Sequence, residues 1–160
     1  MYRLLFLLWL TACQQTTEQS TSGLRIASDN YIVLTEKTLT YQADGDWEAW
    51  ADMLAPNVSC YLPDQPEPLM GKAAVLKHFK TLATRQPRHS VRLHSLMHLP
   101  VQNSSKTNGG VYVVSFFRSE LRYADGRSTT LRYNVCSHFD AKKRIDRLEC
   151  FQSPIVASLD

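Results

Sequence analysis

The stretch Val111–Phe139, VYVVSFFRSELRYADGRSTTLRYNVCSHF, decides the fold. β-Branched and aromatic residues fill both of its arms, and Ala124-Asp125-Gly126-Arg127 between them carries an Asp-Gly pair, a strong short-range hairpin signal. The stretch therefore reads as two long strands folded back on each other. Counting alternate positions puts Val111, Val113, Ser115, Phe117, Leu121, Leu131, Tyr133, Val135 and Ser137 on one face. Tyr112, Val114, Phe116, Arg118, Arg132, Asn134, Cys136 and His138 fall on the other. Neither face is polar throughout, so the first is expected to cover a core and the second to meet another surface.

Working outward, Arg144 to Phe151 supplies a last strand, with Arg147, Glu149 and Phe151 expected on the inner face and Asp146, Leu148 and Cys150 on the outer. Upstream, Val91, Leu93, Ser95, Met97, Leu99 and Val101 alternate with Arg92, His94, Leu96 and His98 in another long strand, and Asn103 to Gly110 is a polar turn. His94, His98 and His138 are expected on the outer face. Earlier still the period changes to that of helices. Ser28-Asp29 offers an N-cap, and Tyr31, Ile32, Leu34, Thr35, Leu39 and Tyr41 recur at helical spacing up to Ala43, where Asp44-Gly45 breaks the pattern. A shorter helix capped by Asp46 carries Trp47, Trp50, Met53 and Leu54 on one stripe and ends at Pro56-Asn57. Val58 to Leu62 is a short strand, the prolines at 63, 66 and 68 make a rigid loop, and Gly71-Lys72 opens a third helix through Ala74, Val75, His78, Phe79 and Leu82 to Gln86-Pro87.

The chain has 160 residues, enough for one domain with a sizeable core, and its 44% hydrophobic content is ordinary for a globular protein. Eighteen Lys and Arg against fifteen Asp and Glu leave a dispersed formal charge of +3, which argues against nucleic acid as a partner. The one basic cluster, Lys142-Lys143-Arg144, falls at an expected turn and reads as solvated. At the start, Met1-Tyr2-Arg3 precedes an apolar run from Leu4 to Leu10, too short to span a bilayer, followed by Leu10-Thr11-Ala12-Cys13. That closing sequence resembles the lipobox of bacterial lipoproteins, which implies acylation of Cys13, and Gln14 after it implies the outer membrane facing the periplasm. The expected division is a signal peptide at 1–12, a flexible tether at 13–27, a folded domain at 28–153 and a tail at 154–160. Cys60, Cys136 and Cys150 are an odd number, which leaves at least one unpaired in an oxidising compartment. Direct pairing of Cys136 with Cys150 would need a bulge, and all three also read as small buried residues. No spacing resembles a zinc site, and neither a metal nor another cofactor is expected.

Three helices and a short strand followed by a meander of long strands resemble the element order of the nuclear transport factor 2-like superfamily, which includes ketosteroid isomerases and SnoaL-like proteins. Tyr41-Gln42-Ala43-Asp44-Gly45-Asp46-Trp47, Leu54-Ala55-Pro56-Asn57-Val58, Gly71-Lys72-Ala73-Ala74-Val75 and Ser137-His138-Phe139-Asp140 carry the likeness. It implies an α+β fold, a cone-shaped roll in which the helices pack on a curved, mainly antiparallel sheet. It also implies a pocket at the open end for small apolar molecules.

Tyr41, Trp50, Tyr61, Phe79, Phe117, Tyr133 and Phe151 are candidates to line such a pocket. Ungapped alignment places Leu62, Thr38 and Ser137 where ketosteroid isomerases carry their base, tyrosine and acid, so that mechanism is not expected. A looser catalytic group would be Glu149 with Tyr133 and Ser137, the carboxyl activated by an apolar setting. The outer face, with Tyr112, Phe116, Arg92, Arg118 and Arg132, has interface composition and is expected to form a homodimer. The leading expectation is thus a lipid-anchored, non-catalytic domain that binds a small apolar or aromatic ligand. A cyclase or isomerase using Glu149 and a structural dimerisation module are the alternatives.

Overall fold

The computed structural model describes residues 23–85, 88–105, 107, 109–123 and 125–152. The expected signal peptide, Cys13 and the tail at 154–160 lie outside the described residues. The central ribbon consists of β5 (Gly110–Tyr123) and β6 (Ser128–Phe139), antiparallel in unbroken register from Val111↔Phe139 to Arg122↔Ser128. At its tip the Tyr123 N–H donates to the Arg127 carbonyl at 2.9 Å, and Gly126 adopts φ 88°, a left-handed turn conformation that glycine takes without strain.

Antiparallel neighbours flank the ribbon, β4 (Arg88–Asn103) beside β5 and β7 (Ile145–Gln152) beside β6. β2 (Leu54–Tyr61) then joins β7 in parallel. Two short strands close the edges, β1 (Leu24–Ile26) on β4 and β3 (Leu69–Met70) on β2. β1 lies inside the stretch expected as tether. Its polar flanks hide a strand held by main-chain bonds that need no particular side chain: Ser104 N–H to Gly23 O at 2.9 Å and Ala27 N–H to Pro100 O at 3.0 Å. β2 likewise starts at Leu54 rather than at Val58. It tolerates Pro56 because its register with β7 shifts between Leu54 and Ser59.

The three helices lie where expected, although Asp29 makes no side-chain cap and the second stops at Met53, before Leu54. α1 (Asn30–Asp44) stops where Gly45 turns left-handed at φ 75°. α2 (Trp47–Met53) opens on Asp46, whose carboxylate accepts from the Ala49 N–H at 3.1 Å. α3 (Lys72–Arg85) follows Gly71, whose N–H reaches the Val58 carbonyl at 2.7 Å. The core forms where these helices meet the inner sheet face: Leu39, Trp50, Val58 and Val75 bury against Val113, Phe117, Val135, Phe139 and Leu148. Thr35 and Thr38 bury there too, because each hydroxyl donates to the carbonyl four residues back. The result is the expected curved α+β cone.

Two irregularities decide which side chains enter the cone. In β4 the register slips between His94 and Met97, so Val91 and Leu93 stand opposite Leu121 and Ser119, but His98 stands opposite Ser115. Met97 and Leu99 are thereby turned outward. In β7, His138 pairs with Arg147 and Phe139 with Ile145, which leaves Asp146 as the extra residue. Ile145, Leu148 and Cys150 then share a face with Phe139, Ser137 and Val135, whereas Arg147, Glu149 and Phe151 share one with His138, Cys136 and Asn134.

Candidate functional site

The aromatic candidates divide between the two faces. Phe117 and Tyr133 stack on the inner face with centroids 5.3 Å apart and planes at 20°. Trp50 is fully buried between Trp47 and Phe79, edge-on to each at 6.0 and 5.1 Å. Tyr41, Phe79 and Tyr133 are half-buried and pack against the core cluster, beside Leu62 and Cys150. Tyr61 and Phe151 lie outside: they are 43% and 54% exposed. Tyr61 follows from the parallel pairing, which sets it beside Glu149.

Glu149 itself stands opposite Cys136 on the outer face, and its carboxylate lies 3.6 Å from the Arg147 guanidinium. Ser137 and Tyr133 enter the cone on the opposite side of the sheet. The expected group of three is therefore split, because antiparallel partners share a face and the bulge at Asp146 inverts the count in β7. Leu62 and Thr38, aligned with family catalytic positions, are packed against the core and buried respectively, and Thr38 donates to Leu34 O at 2.9 Å.

One inner titratable group is the imidazole of His98, which a strict alternation assigns to the outer face. Its side chain is 4% exposed, its Nδ1 shares a hydrogen bond with Ser115 Oγ at 2.8 Å, and its Nε2 lies 3.8 Å from Glu36 Oε1 on α1. Nε2 has no hydrogen-bond partner at that distance. Burial pushes the imidazole below its ordinary value, with the Glu36 carboxylate pulling the other way. Ser115 is fully enclosed, so this Ser–His–Glu line cannot present a nucleophile to a substrate.

On the outer side, His138 Nδ1 meets Asp146 Oδ1 at 2.5 Å, its Nε2 lies 3.3 Å from the Gly109 carbonyl, and the Tyr112 ring tilts over it at 4.5 Å. Gly110 makes room for this imidazole, since any side chain there would strike it. Shallow recesses of about 200 and 400 Å³ open on either side of His138, the first lined by Ser59, Met70 and Arg147, the second by Tyr31 and Phe139. The sequence signal for this pair was its position, one partner on each side of the Asp140–Arg144 turn.

The cysteines are sorted by the same register. Cys60 is buried on the inner face opposite Leu148, with Cys150 two residues further along β7. The neighbouring Cys150 thiol, then burial, hold the Cys60 thiol well above the ordinary range. Cys136 faces outward beside Glu149; burial, then the Glu149 carboxylate, push its thiol upward. Among the described residues no group of three His, Cys, Asp or Glu side chains is placed to hold a metal.

The inner aromatic wall, the helix trio and the strand order define a cone of the nuclear transport factor 2-like type. The model of the SnoaL-like domain matches residues 36–147, and the chain belongs to that family. Solved structures with the same fold include an NTF2-like protein from Anabaena variabilis, at TM-score 0.61 and 18% identity over 82% of this chain and 95% of that one. A candidate polyketide cyclase from Xanthomonas campestris matches at 0.62 and 16%, over 78% and 91%. A candidate ketosteroid isomerase from Kribbella flavida matches at 0.57 and 18%, over 81% and 82%. None of the curated proteins matches the sequence significantly.

His98 makes stability pH-dependent with a definite sign. The unfolded imidazole takes up a proton near pH 6.5, whereas the buried one stays neutral to lower pH, so stability is complete above about 6.5 and falls as the pH drops toward the depressed folded value. Urea unfolding of the wild type and of His98→Asn between about pH 7.5 and 5 should show a steeper loss in the wild type, with one group contributing at most about 1.4 kcal/mol per pH unit. Parallel curves would remove His98 as the cause.

Proposed function

We propose that this chain is a lipid-anchored envelope protein whose SnoaL-like cone holds a small apolar or aromatic molecule without transforming it. The single observation that carries the reading is the Phe117–Tyr133 stack on the inner face, continued by half-buried Tyr41 and Phe79. Aromatic faces offer such a ligand rigid apolar contact. Among the described inner-face strand residues there is no carboxylate to act as a general base, and Glu149 lies outside the cone. Two structural neighbours carry enzyme names, but the inner imidazole of this chain is spent on Ser115. Native mass spectrometry of the purified protein after exposure to mixed phospholipids and small aromatics should retain a compound. Tyr133→Ala should weaken its binding about three- to tenfold. A protein that retains nothing, or that turns a screened substrate over, contradicts the reading.

The anchor rests on Leu10-Thr11-Ala12-Cys13 behind a short apolar run, and Gln14 favours the outer membrane over the inner. In a bacterial host, labelled fatty acid should be incorporated into the full chain and be lost in Cys13→Ser, which should leave the membrane fraction. Equal labelling of both proteins would sink the proposal.

A homodimer through the outer sheet face completes the reading. Met97, Phe116, Asn134 and Phe151 form one cross-strand row, and Met97 and Phe116 are 59% and 41% exposed. Arg118 and Arg132 lie one paired row away, so the patch combines apolar side chains with arginine as protein interfaces do. Sedimentation should find a dimer that Phe116→Asp reduces to a monomer; a monomeric wild type at micromolar concentration rejects it.

A further inference from the structure

Alternation leaves the three thiols of the domain with one pairing open to them. Cys136 projects from β6 on the outer face, in register with Glu149. Cys150 stands opposite Val135, whose side chain is buried in the cone, and Cys60 stands opposite Leu148, also buried. A sheet one residue thick separates Cys136 from both. Cys60 and Cys150, by contrast, share a face on hydrogen-bonded neighbouring strands, two positions apart along β7, and each thiol shifts the ionisation of the other. The strands they occupy form the parallel seam where β2, an early element, meets β7, the last described one.

We propose that Cys60 and Cys150 are a redox pair that closes to a disulfide across the β2–β7 seam. The exposures set the order of events. Cys60 is fully enclosed and Cys150 is half-buried, so an oxidant reaches Cys150 first. The oxidant is of the disulfide class, either oxidised glutathione or an oxidised dithiol protein. The Cys150 thiolate attacks one sulfur of that disulfide, and the S–S bond of the oxidant breaks as a mixed disulfide forms on Cys150. Cys60 then loses its proton and attacks Cys150 Sγ, the mixed disulfide breaks, and the Cys60–Cys150 bond forms. Two electrons pass to the oxidant, whose two sulfurs leave as thiols carrying the two protons given up by the cysteines. The bond joins residues 90 apart in sequence, counted from 60 to 150, so it removes a large loop's freedom from the unfolded chain. It also fixes the wall beside Tyr133 and Leu62 against which a ligand would rest.

Trypsin resolves the question cleanly, because Arg132 and Lys142 release Cys136 on its own peptide, Arg147 releases Cys150, and Cys60 lies on a third between Lys37 and Lys72. The purified full chain is incubated with oxidised glutathione, its free thiols are blocked, and the digest is mapped without reduction. The expected result is a peptide joining Cys60 to Cys150, Cys136 recovered as a blocked thiol, and an intact mass lower by two hydrogens. The oxidised protein should also melt at a higher temperature than the reduced one. Cys136→Ser should form the same link, and Cys150→Ser should form none. A Cys136–Cys150 link would overturn the proposal, as would three free thiols in folded protein under conditions that oxidise the urea-unfolded chain. A bridged form that melts lower than the reduced one would mark a forced bond and overturn it equally. No arm of the experiment depends on lipid anchoring or on ligand binding, so its outcome is separate from theirs.

Discussion

Unbroken antiparallel pairing between β5 and β6 is the constraint from which the other placements follow. From Val111↔Phe139 to Arg122↔Ser128 no residue is inserted, so each buried side chain on one strand commits its partner to the same side. Val113 buries with Ser137, Ser115 with Val135 and Ser119 with Leu131, and the helices have a continuous surface to cover. The three serines sit among apolar neighbours at the centre of that surface, where small side chains let α1 approach closely enough to bury Thr35 and Thr38. One slip in the ribbon would have put Phe117 and Tyr133 on opposite faces and undone their stack.

The strands that flank the ribbon do slip, and this decides which side chains line the interior. A single extra residue between His94 and Met97 exchanges an apolar pair for an imidazole on the inner wall. Another at Asp146 turns Glu149 out and Cys150 in. The consequence is a cone whose interior chemistry is aromatic, hydroxylic and thiol rather than acidic. The polar machinery, His138 with Asp146 and Arg147 with Glu149, is displaced to the exterior.

That history explains what could be read from the residues and what could not. The hairpin, the three helices and their caps at Asp46 and Gly45 were legible because each depends on a local pattern, alternation, helical period or a glycine after a turn. The ribbon's two faces were legible for the same reason. Glu149, Phe151 and His98 were misplaced because a bulge leaves no mark on hydrophobic periodicity in a strand where both faces carry apolar residues, and Tyr61 because nothing local says that β2 turns Cys60 rather than Tyr61 inward. β1 and β3 were missed because strands of three and two residues are set by the neighbour they pair with, not by their own composition.

Those two short strands have an effect beyond completing the sheet. Each end of a sheet presents free N–H and C=O groups that can recruit the same edge of another molecule, and long flat edges polymerise. Here a fragment covers only part of each margin: Leu24–Ile26 pairs with Val101 to Asn103 of β4, and Leu69–Met70, beside the proline-rich loop, with Ser59 and Cys60 of β2. Among the described residues the rest of β4 has no strand on that side, so this longer stretch of edge is where an added extended chain would find main-chain partners.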